Sequence, residues 1–291
     1  MTLSKGQKVN LQRIFRQKDY NRFAELIKDY NSTHVDPEFA ATTRFKRTLA
    51  HGMHLYGVLC RMLSTQLPGP GMLQFKQDFV FPDGTFTDEL VNFELEVVDV
   101  NQAEKTACIK TVVQTGHGTL GAEGYTWVFL PESNLDFPGL DENLCKPVES
   151  EGTEFMNIKL GAQAFHTRIF TEEDLEEYAN VTGDQNPLFL NSAYAKKMGF
   201  KDRIIPGPLL SGMLSKLLGT DLPGKGTNWL KQKIHFPHPA YVGEEITATV
   251  KVVRIRPDKK IINLYDYCTT KEGKVVCQAE SLVLMQKMLQ N

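Results

Sequence analysis

Apolar positions along the chain fall into two recurring patterns. Segments near 73 to 81, 91 to 100, 106 to 115 and 122 to 130 are rich in Val, Ile, Thr, Phe and Tyr and partly alternate with polar residues. Segments near 229 to 236, 246 to 255, 260 to 269 and 275 to 285 do the same. This period-two character predicts two sets of antiparallel strands. Ahead of each set runs an apolar helix, with Leu55, Leu59, Met62 and Leu63 in one case and Leu210, Met213, Leu214, Leu217 and Leu218 in the other. Its apolar surface is too broad for a helix that faces water on one side, so the strands that follow are expected to wrap it. Earlier still come a helical stretch (Tyr20 to Lys28; Glu172 to Val181), a polar turn and a short helix (Pro37 to Thr42; Ala193 to Met198). Thr171 and Asp174 form a capping pair for the second of the longer helices.

The doubling is an internal repeat. An offset of 155 places Asp29 on Asp184, Asn31 on Asn186, Gly52 on Gly207, Lys76-Gln77 on Lys231-Gln232 and Phe81-Pro82 on Phe236-Pro237. It also places Leu67-Pro-Gly-Pro-Gly71 on Leu222-Pro-Gly-Lys-Gly226. A single offset holding over more than about fifty residues means two copies of one unit. The expected boundaries are 1–131 for the first unit, 132–155 for a connector and 156–291 for the second. Between Pro131 and Glu154 stand seven acidic residues, one lysine and three prolines, a composition that cannot bury much surface.

Charge removes one class of partner. With 33 basic against 35 acidic side chains, the chain offers no excess positive field to a phosphate polymer, so nucleic acid is not expected as a partner. No run approaches the roughly 18 consecutive apolar residues of a membrane span, and the opening MTLSKGQKVNLQRIF lacks the apolar core of a signal peptide. A soluble, cytoplasmic chain is expected. The five cysteines (Cys60, Cys108, Cys145, Cys268, Cys277) form no C-x-x-C pair and read as free thiols, mostly in the core.

The chemistry is concentrated in one segment of each copy. The first has Asp29-Tyr-Asn-Ser-Thr-His34, closed by Ala50-His51-Gly52-Met53; the second has Asp184-Gln-Asn-Pro-Leu-Phe189, closed by Ile205-Pro206-Gly207-Pro208. An imidazole beside a carboxylate can move protons through one bound water. A backbone N–H at the start of a buried helix can meet negative charge with a donor and with the helix dipole. Asp29 and His34 supply the first pair, and Gly52 is the candidate for the second. Glycine there also admits close approach of a ligand to the backbone.

These segments resemble the MaoC-like hydratase and dehydratase family, also called hydratase type 2. That family's pattern is Asp, one residue, Asn, Pro, one residue, His, followed by a small helix and then His-Gly. The resemblance covers nearly the whole chain and implies an α+β tandem, or double, hot-dog fold in which each long helix is wrapped by a curved antiparallel sheet. It implies reversible, (R)-specific addition of water across the C2–C3 double bond of a 2-enoyl thioester. Asp29 and His34 would be the acid/base dyad, and the Gly52 N–H would bind the thioester carbonyl. The implied substrate is an acyl thioester of coenzyme A or acyl carrier protein, with no metal or redox cofactor, and a homodimer of double units is a candidate assembly. Ser32 replaces the family's proline, Phe189 replaces the histidine in the second copy, and Pro206 replaces the histidine before Gly207. Phenylalanine cannot carry a proton, so one working site is expected, in the first copy.

Other residues carry weaker expectations. Asn31, His51, Phe189 and Arg47 are candidates for substrate contact. The blander role of Asn31 and Asn186 is to hold their turns, and that of His51 is to hold the loop before Gly52. Arg44, Lys46 and Arg47, with Lys196, Lys197, Lys201 and Arg203 in the second copy, could meet phosphates or simply be solvated. Asp184 lacks a proton-transfer partner and reads as structural. The remaining alternatives are a non-catalytic acyl-thioester binding protein and a hot-dog thioesterase.

Overall fold

The computed structural model describes residues 3–131, 139–141, 144 and 149–285. The predicted strands appear as β2 (Leu73–Val80), β3 (Leu90–Asn101), β4 (Thr106–Gln114) and β5 (Leu120–Phe129) in the first half. In the second half they are β9 (Thr227–His235), β10 (Glu245–Arg256), β11 (Ile261–Thr270) and β12 (Val275–Met285). One further strand precedes the helices in each copy: β1 (Lys8–Ile14) and β8 (Gln163–Ile169). The helical stretch is therefore not the first element of the unit, as the sequence pattern had suggested. Both extra strands lie at the outer edges of the sheet, where only one face is half-buried, so their apolar alternation is faint.

All ten strands form one antiparallel sheet in the order β1-β3-β4-β5-β2-β9-β12-β11-β10-β8. The halves meet where β2 pairs with β9, with Gln77 opposite Ile234, Asp78 opposite Lys233 and Phe79 opposite Gln232. Asp78 and Lys233 are themselves 155 residues apart. The sequence offset is thus a pseudo-twofold relation, and the continuous sheet makes the two copies one body.

Each half of the sheet curls over its long helix, α4 (Gly52–Thr65) in the first and α8 (Gly207–Lys216) in the second; α8 continues into a π-helical turn over Leu217–Asp221. In α4, Leu55, Tyr56, Leu59, Met62 and Leu63 are buried among inward strand residues such as Phe93, Leu95 and Ile109. Burying one such side chain contributes about 1.5–3 kcal/mol, which explains how a helix apolar on nearly every side is held without a solvent face. The helices α1 (Gln17–Ile27) and α5 (Glu172–Thr182) pack together and are joined by a two-pronged Arg22–Glu177 ion pair at 2.9 Å. The Thr171 capping box is present, with its hydroxyl and the Asp174 carboxylate each bonded to the other's backbone N–H.

Part of the connector falls within the described residues. Asp141 exchanges two backbone-to-side-chain hydrogen bonds with Gln278 of β12, and Ser150 bonds the backbone of Ile255. A small hairpin of β6 (Glu154–Phe155) and β7 (Ile158–Lys159) straddles the expected boundary at 155. Cys60, Cys268 and Cys277 are buried free thiols and Cys108 is half-buried, whereas Cys145 lies outside the described residues. Among the described residues, no helix is long and apolar enough to cross a membrane.

Candidate active site

Asp29 reaches its position because α1 stops abruptly. Lys28 adopts the left-handed conformation (φ 58°), and the chain turns Asp29 inward until it is 1% exposed. Asn31 then caps the one-turn helix α2 (Ser32–Val35), accepting hydrogen bonds from the Thr33 N–H at 3.2 Å and the Thr33 hydroxyl at 3.0 Å. This turn presents His34. Ser32 does not disturb it: Asn31 sits at φ −56°, ψ 123°, and its counterpart Asn186, which precedes a proline, at φ −62°, ψ 122°.

The hydrogen bonds fix the roles of both imidazoles. His34 Nδ1 lies 2.7 Å from the Leu49 carbonyl, which can only accept, so Nδ1 carries the proton and the Nε2 lone pair is left available. His51 Nε2 donates to the main-chain carbonyl of Asp29 at 3.0 Å and lies 3.8 Å from its carboxylate. The two rings are 3.8 Å apart between centroids. One ring nitrogen of each histidine and one Asp29 oxygen all fall within 4.8 Å of one another, a span that the two hydrogen bonds of a single water can bridge. Such a trio could also suggest a metal cradle. However, the His51 nitrogen that faces Asp29 must keep its proton to reach the carbonyl, so it offers no lone pair there.

Burial sets the electrostatics. It pushes His34 below the usual imidazole range, with Asp29 and the Leu49 carbonyl opposing the shift. It pushes His51 down to about 3, helped by the neighbouring His34 and opposed by Asp29, so His51 is neutral throughout the physiological range. Asp29 accepts from the Ser215 hydroxyl at 2.9 Å and from the Asn31 N–H at 3.3 Å.

These groups open onto a cleft of about 360 Å³. Asp29, Asn31, His34 and Gly52 line it from the first half; Ser215, Leu218, Gly219 and Trp229 line it from the second. Gly52 begins α4, so its N–H has no partner inside the helix and points out of the positive end of the dipole. The Phe81 ring lies against it: a Cβ on residue 52 would come within 3.0 Å of that ring.

Three candidates for substrate contact are placed differently than expected. His51 is fully buried behind His34 and does not line the cleft, because its ring is spent on Asp29. Arg47 is drawn away by Glu89 at 2.5 Å and by the Thr87 carbonyl. Arg44 lines the cleft instead. Phe189 faces a separate small cavity in the second half. Asn31 does line the cleft while also capping its turn. Ser215 and Trp229 were missed. The serine could have been noticed as a polar interruption of the apolar α8, although nothing in the sequence says which carboxylate it meets.

Comparison with known proteins agrees with this architecture. The model of the MaoC-like domain matches residues 2–117 and 157–272, one match in each half. The chain belongs to the MaoC-like domain family. Among relatives of this MaoC-like protein is an (R)-specific enoyl-CoA hydratase from Rhodospirillum rubrum, 37% identical over 131 residues, which are 45% of this chain and 90% of the relative. A solved MaoC-like dehydratase superposes with a TM-score of 0.77 at 16% identity, covering 97% of this chain and 98% of that one. A conserved hypothetical protein from Mycobacterium tuberculosis, described as having a double hot-dog fold, gives 0.72 at 14% identity over 98% and 97%. The MaoC-like chain is thus an α+β double hot-dog, in a family whose named hydratases and dehydratases are hydro-lyases.

The second MaoC-like unit keeps the scaffold and closes the site. The Ile205 N–H bonds the Ala240 carbonyl just as the Ala50 N–H bonds that of Thr85, both at 2.8 Å, so the loop before each long helix is held identically. The corresponding cavity, lined by Phe189, Ile205, Gly207, Phe236 and Val276, is only about 40 Å³. Phe189 stands for His34, Ile205 for Ala50 and Val276 for Gly121, each a bulkier group. Asp184 is equally buried and pushed up to about 6 by burial, even though Ser64, Asn186 and Tyr178 all bond to it. Tyr178 stands where the first half has Phe23, and Ser64 where the second has Gly219. A Cβ on residue 219 would lie 3.0 Å from Asn31 Nδ2 and 3.6 Å from Asp29 Oδ1, so glycine there keeps open the space beside the reactive carboxylate.

Proposed function

We propose that this protein is a reversible 2-enoyl-thioester hydratase, equivalently a 3-hydroxyacyl-thioester dehydratase, with (R) stereochemistry and one active site per chain. The observation that carries the reading is the convergence of Asp29, His34 and the Gly52 N–H on the large cleft, while the equivalent positions of the other half are blocked. In the hydration direction, the thioester oxygen accepts from the Gly52 N–H, where the helix dipole stabilises the enolate charge that builds as water attacks C3. A water between Asp29 and His34 loses its proton to the bare His34 Nε2, with Asp29 holding the water and balancing the imidazolium. The dyad returns a proton to C2, and the reverse steps give dehydration. This chemistry calls for no metal or redox cofactor. Arg44, which lines the cleft, would meet a phosphate of the coenzyme A or carrier-protein arm.

The test is hydration of crotonyl-CoA by the wild-type chain and by His34→Ala, Asp29→Asn and Asp184→Asn. The first two variants should lose roughly 10²- to 10⁴-fold in kcat, and the third should stay within a few-fold of wild type. Full activity in His34→Ala, or release of free thiol instead of hydrated product, would overturn the assignment.

A further inference from the structure

His51 touches both members of the dyad and none of the cleft. Its Nε2–H holds Asp29 through the main-chain carbonyl at 3.0 Å, and its ring lies against that of His34 in a tilted arrangement, 3.8 Å between centroids and 33° between planes. The ring is fully buried and rests on Phe23, with centroids 5.7 Å apart. Its other nitrogen, Nδ1, has no hydrogen-bond partner among the described residues. In the second half the same position is Pro206, and it is lost together with the His34 counterpart, Phe189. The scaffold around Pro206 is intact: the helix still begins at Gly207, and the Ile205 bond to Ala240 is kept. A histidine is therefore not needed to hold this loop, and the bland role assigned to it from sequence does not account for it.

We propose that His51 is a positioning residue for the dyad: its donated N–H fixes Asp29 by the backbone and its ring backs that of His34, so that His34 alone takes up the proton. This inference rests on the dyad roles proposed above. The physical requirement is that two imidazoles in contact beside one carboxylate must not compete for one proton. Desolvation and the neighbouring His34 keep His51 neutral against the opposing pull of Asp29, while the N–H donated to the Asp29 carbonyl fixes its tautomer. The titratable groups facing it are Asp29, His34 and, further along α4, His54, which burial and Arg13 also hold well below the imidazole range. Of the three histidines, only His34 borders the cleft, beside Asp29.

The experiment compares wild type with His51→Phe, which keeps an aromatic plate without the donor, and His51→Gln, which keeps a donor without the plate. A misplaced dyad should cost on the order of 10- to 100-fold in kcat for His51→Phe, with KM within about threefold, and His51→Gln should recover part of the loss. The acid limb of the kcat/KM profile should move to lower pH in His51→Phe, because His34 loses the closely held Asp29 carboxylate that raises its proton affinity. An unchanged pH profile, or a loss confined to KM, would refute the positioning role. Imidazole NMR of the wild type gives a second reading that does not depend on the variants folding or on any activity. His51 should remain a neutral Nε2–H tautomer from pH 5 to 9, and a His51 signal titrating within that window would sink the proposal. If wild type lacks hydratase activity altogether, the proposed function fails, and the tautomer measurement still decides the state of His51.

Discussion

Asp29 and Asp184 occupy the same place in two copies of one unit, are equally buried, and each follows a helix that ends in a left-handed residue. They differ in what surrounds them. Asp29 faces His34, a gap left by Gly219 and a cleft of about 360 Å³. Asp184 faces Phe189 and is held by the hydroxyls of Ser64 at 2.5 Å and Tyr178 at 3.1 Å, beside a cavity of about 40 Å³. A buried carboxylate can thus be a reactive group or a structural knot on one backbone, depending on whether its oxygens are left for a ligand or consumed by neighbours. The second half still serves the first, because Ser215, Leu218, Gly219 and Trp229 complete the cleft.

The comparison can be broken most directly by rebuilding the silent site. In a His34→Ala background, adding Phe189→His and Pro206→His should leave turnover roughly 10²- to 10⁴-fold below wild type, because Asp184 remains occupied and Val276 and Ile205 still fill the cavity. Recovery of crotonyl-CoA hydration in that variant would show that the missing imidazole, and not the closed cavity, silences the second half.

Next in size is the contrast between two serines. Ser215→Ala removes a hydroxyl from the reactive carboxylate and should lower kcat on the order of tenfold, as expected for one hydrogen bond to a charged group. Ser64→Ala removes a hydroxyl from the silent carboxylate, Asp184. It should leave kcat unchanged and cost about 1–3 kcal/mol of stability in denaturant titration. Reversed outcomes would mean that the halves have been assigned the wrong way round.

A contrast of comparable size lies in the pH dependence of stability. A carboxyl group raised to about 6 in the folded state binds its proton more tightly there than in the unfolded chain. Its stabilisation is therefore fully present below the unfolded carboxyl range and is lost as pH rises through about 6. At about 1.4 kcal/mol per pKa unit, the loss attributable to Asp184 is roughly 2–3 kcal/mol between pH 4 and 7. Denaturant midpoints for Asp184→Asn should be correspondingly flatter over that range. Asp266, raised to about 7 by burial, contributes in the same direction, so Asp266→Asn is the needed control. If Asp184→Asn leaves the slope of the wild type unchanged, Asp184 is already ionised in this range and is not the knot described here.

Most of the fold was legible because it is written locally. Eight strands of the large sheet, the long helices and the Thr171 cap follow from periodicity and capping chemistry, and a single offset shows the doubling. The edge strands β1 and β8 were not, since a strand half-exposed on one face and unpaired along one edge needs little apolar alternation. At the site, Asp29, Asn31, His34 and Gly52 were legible as a motif. The positions of Arg47 and Phe189 were not, because proximity in sequence to a motif does not say which way a side chain is drawn.

The sequence by itself determined that the chain is a double unit with one intact Asp-His pair, because residue identity alone decides whether a proton can be carried. Only the tertiary structure decided that Ser215, 186 residues away, bonds the reactive Asp29, that Gly219 leaves space beside it, and that His51 stands behind His34 instead of in the cleft. The first two arise from the packing of one half against the other across the pseudo-twofold and the third from packing inside the first half, and in both cases contacts depend on shape and distance that no local pattern encodes.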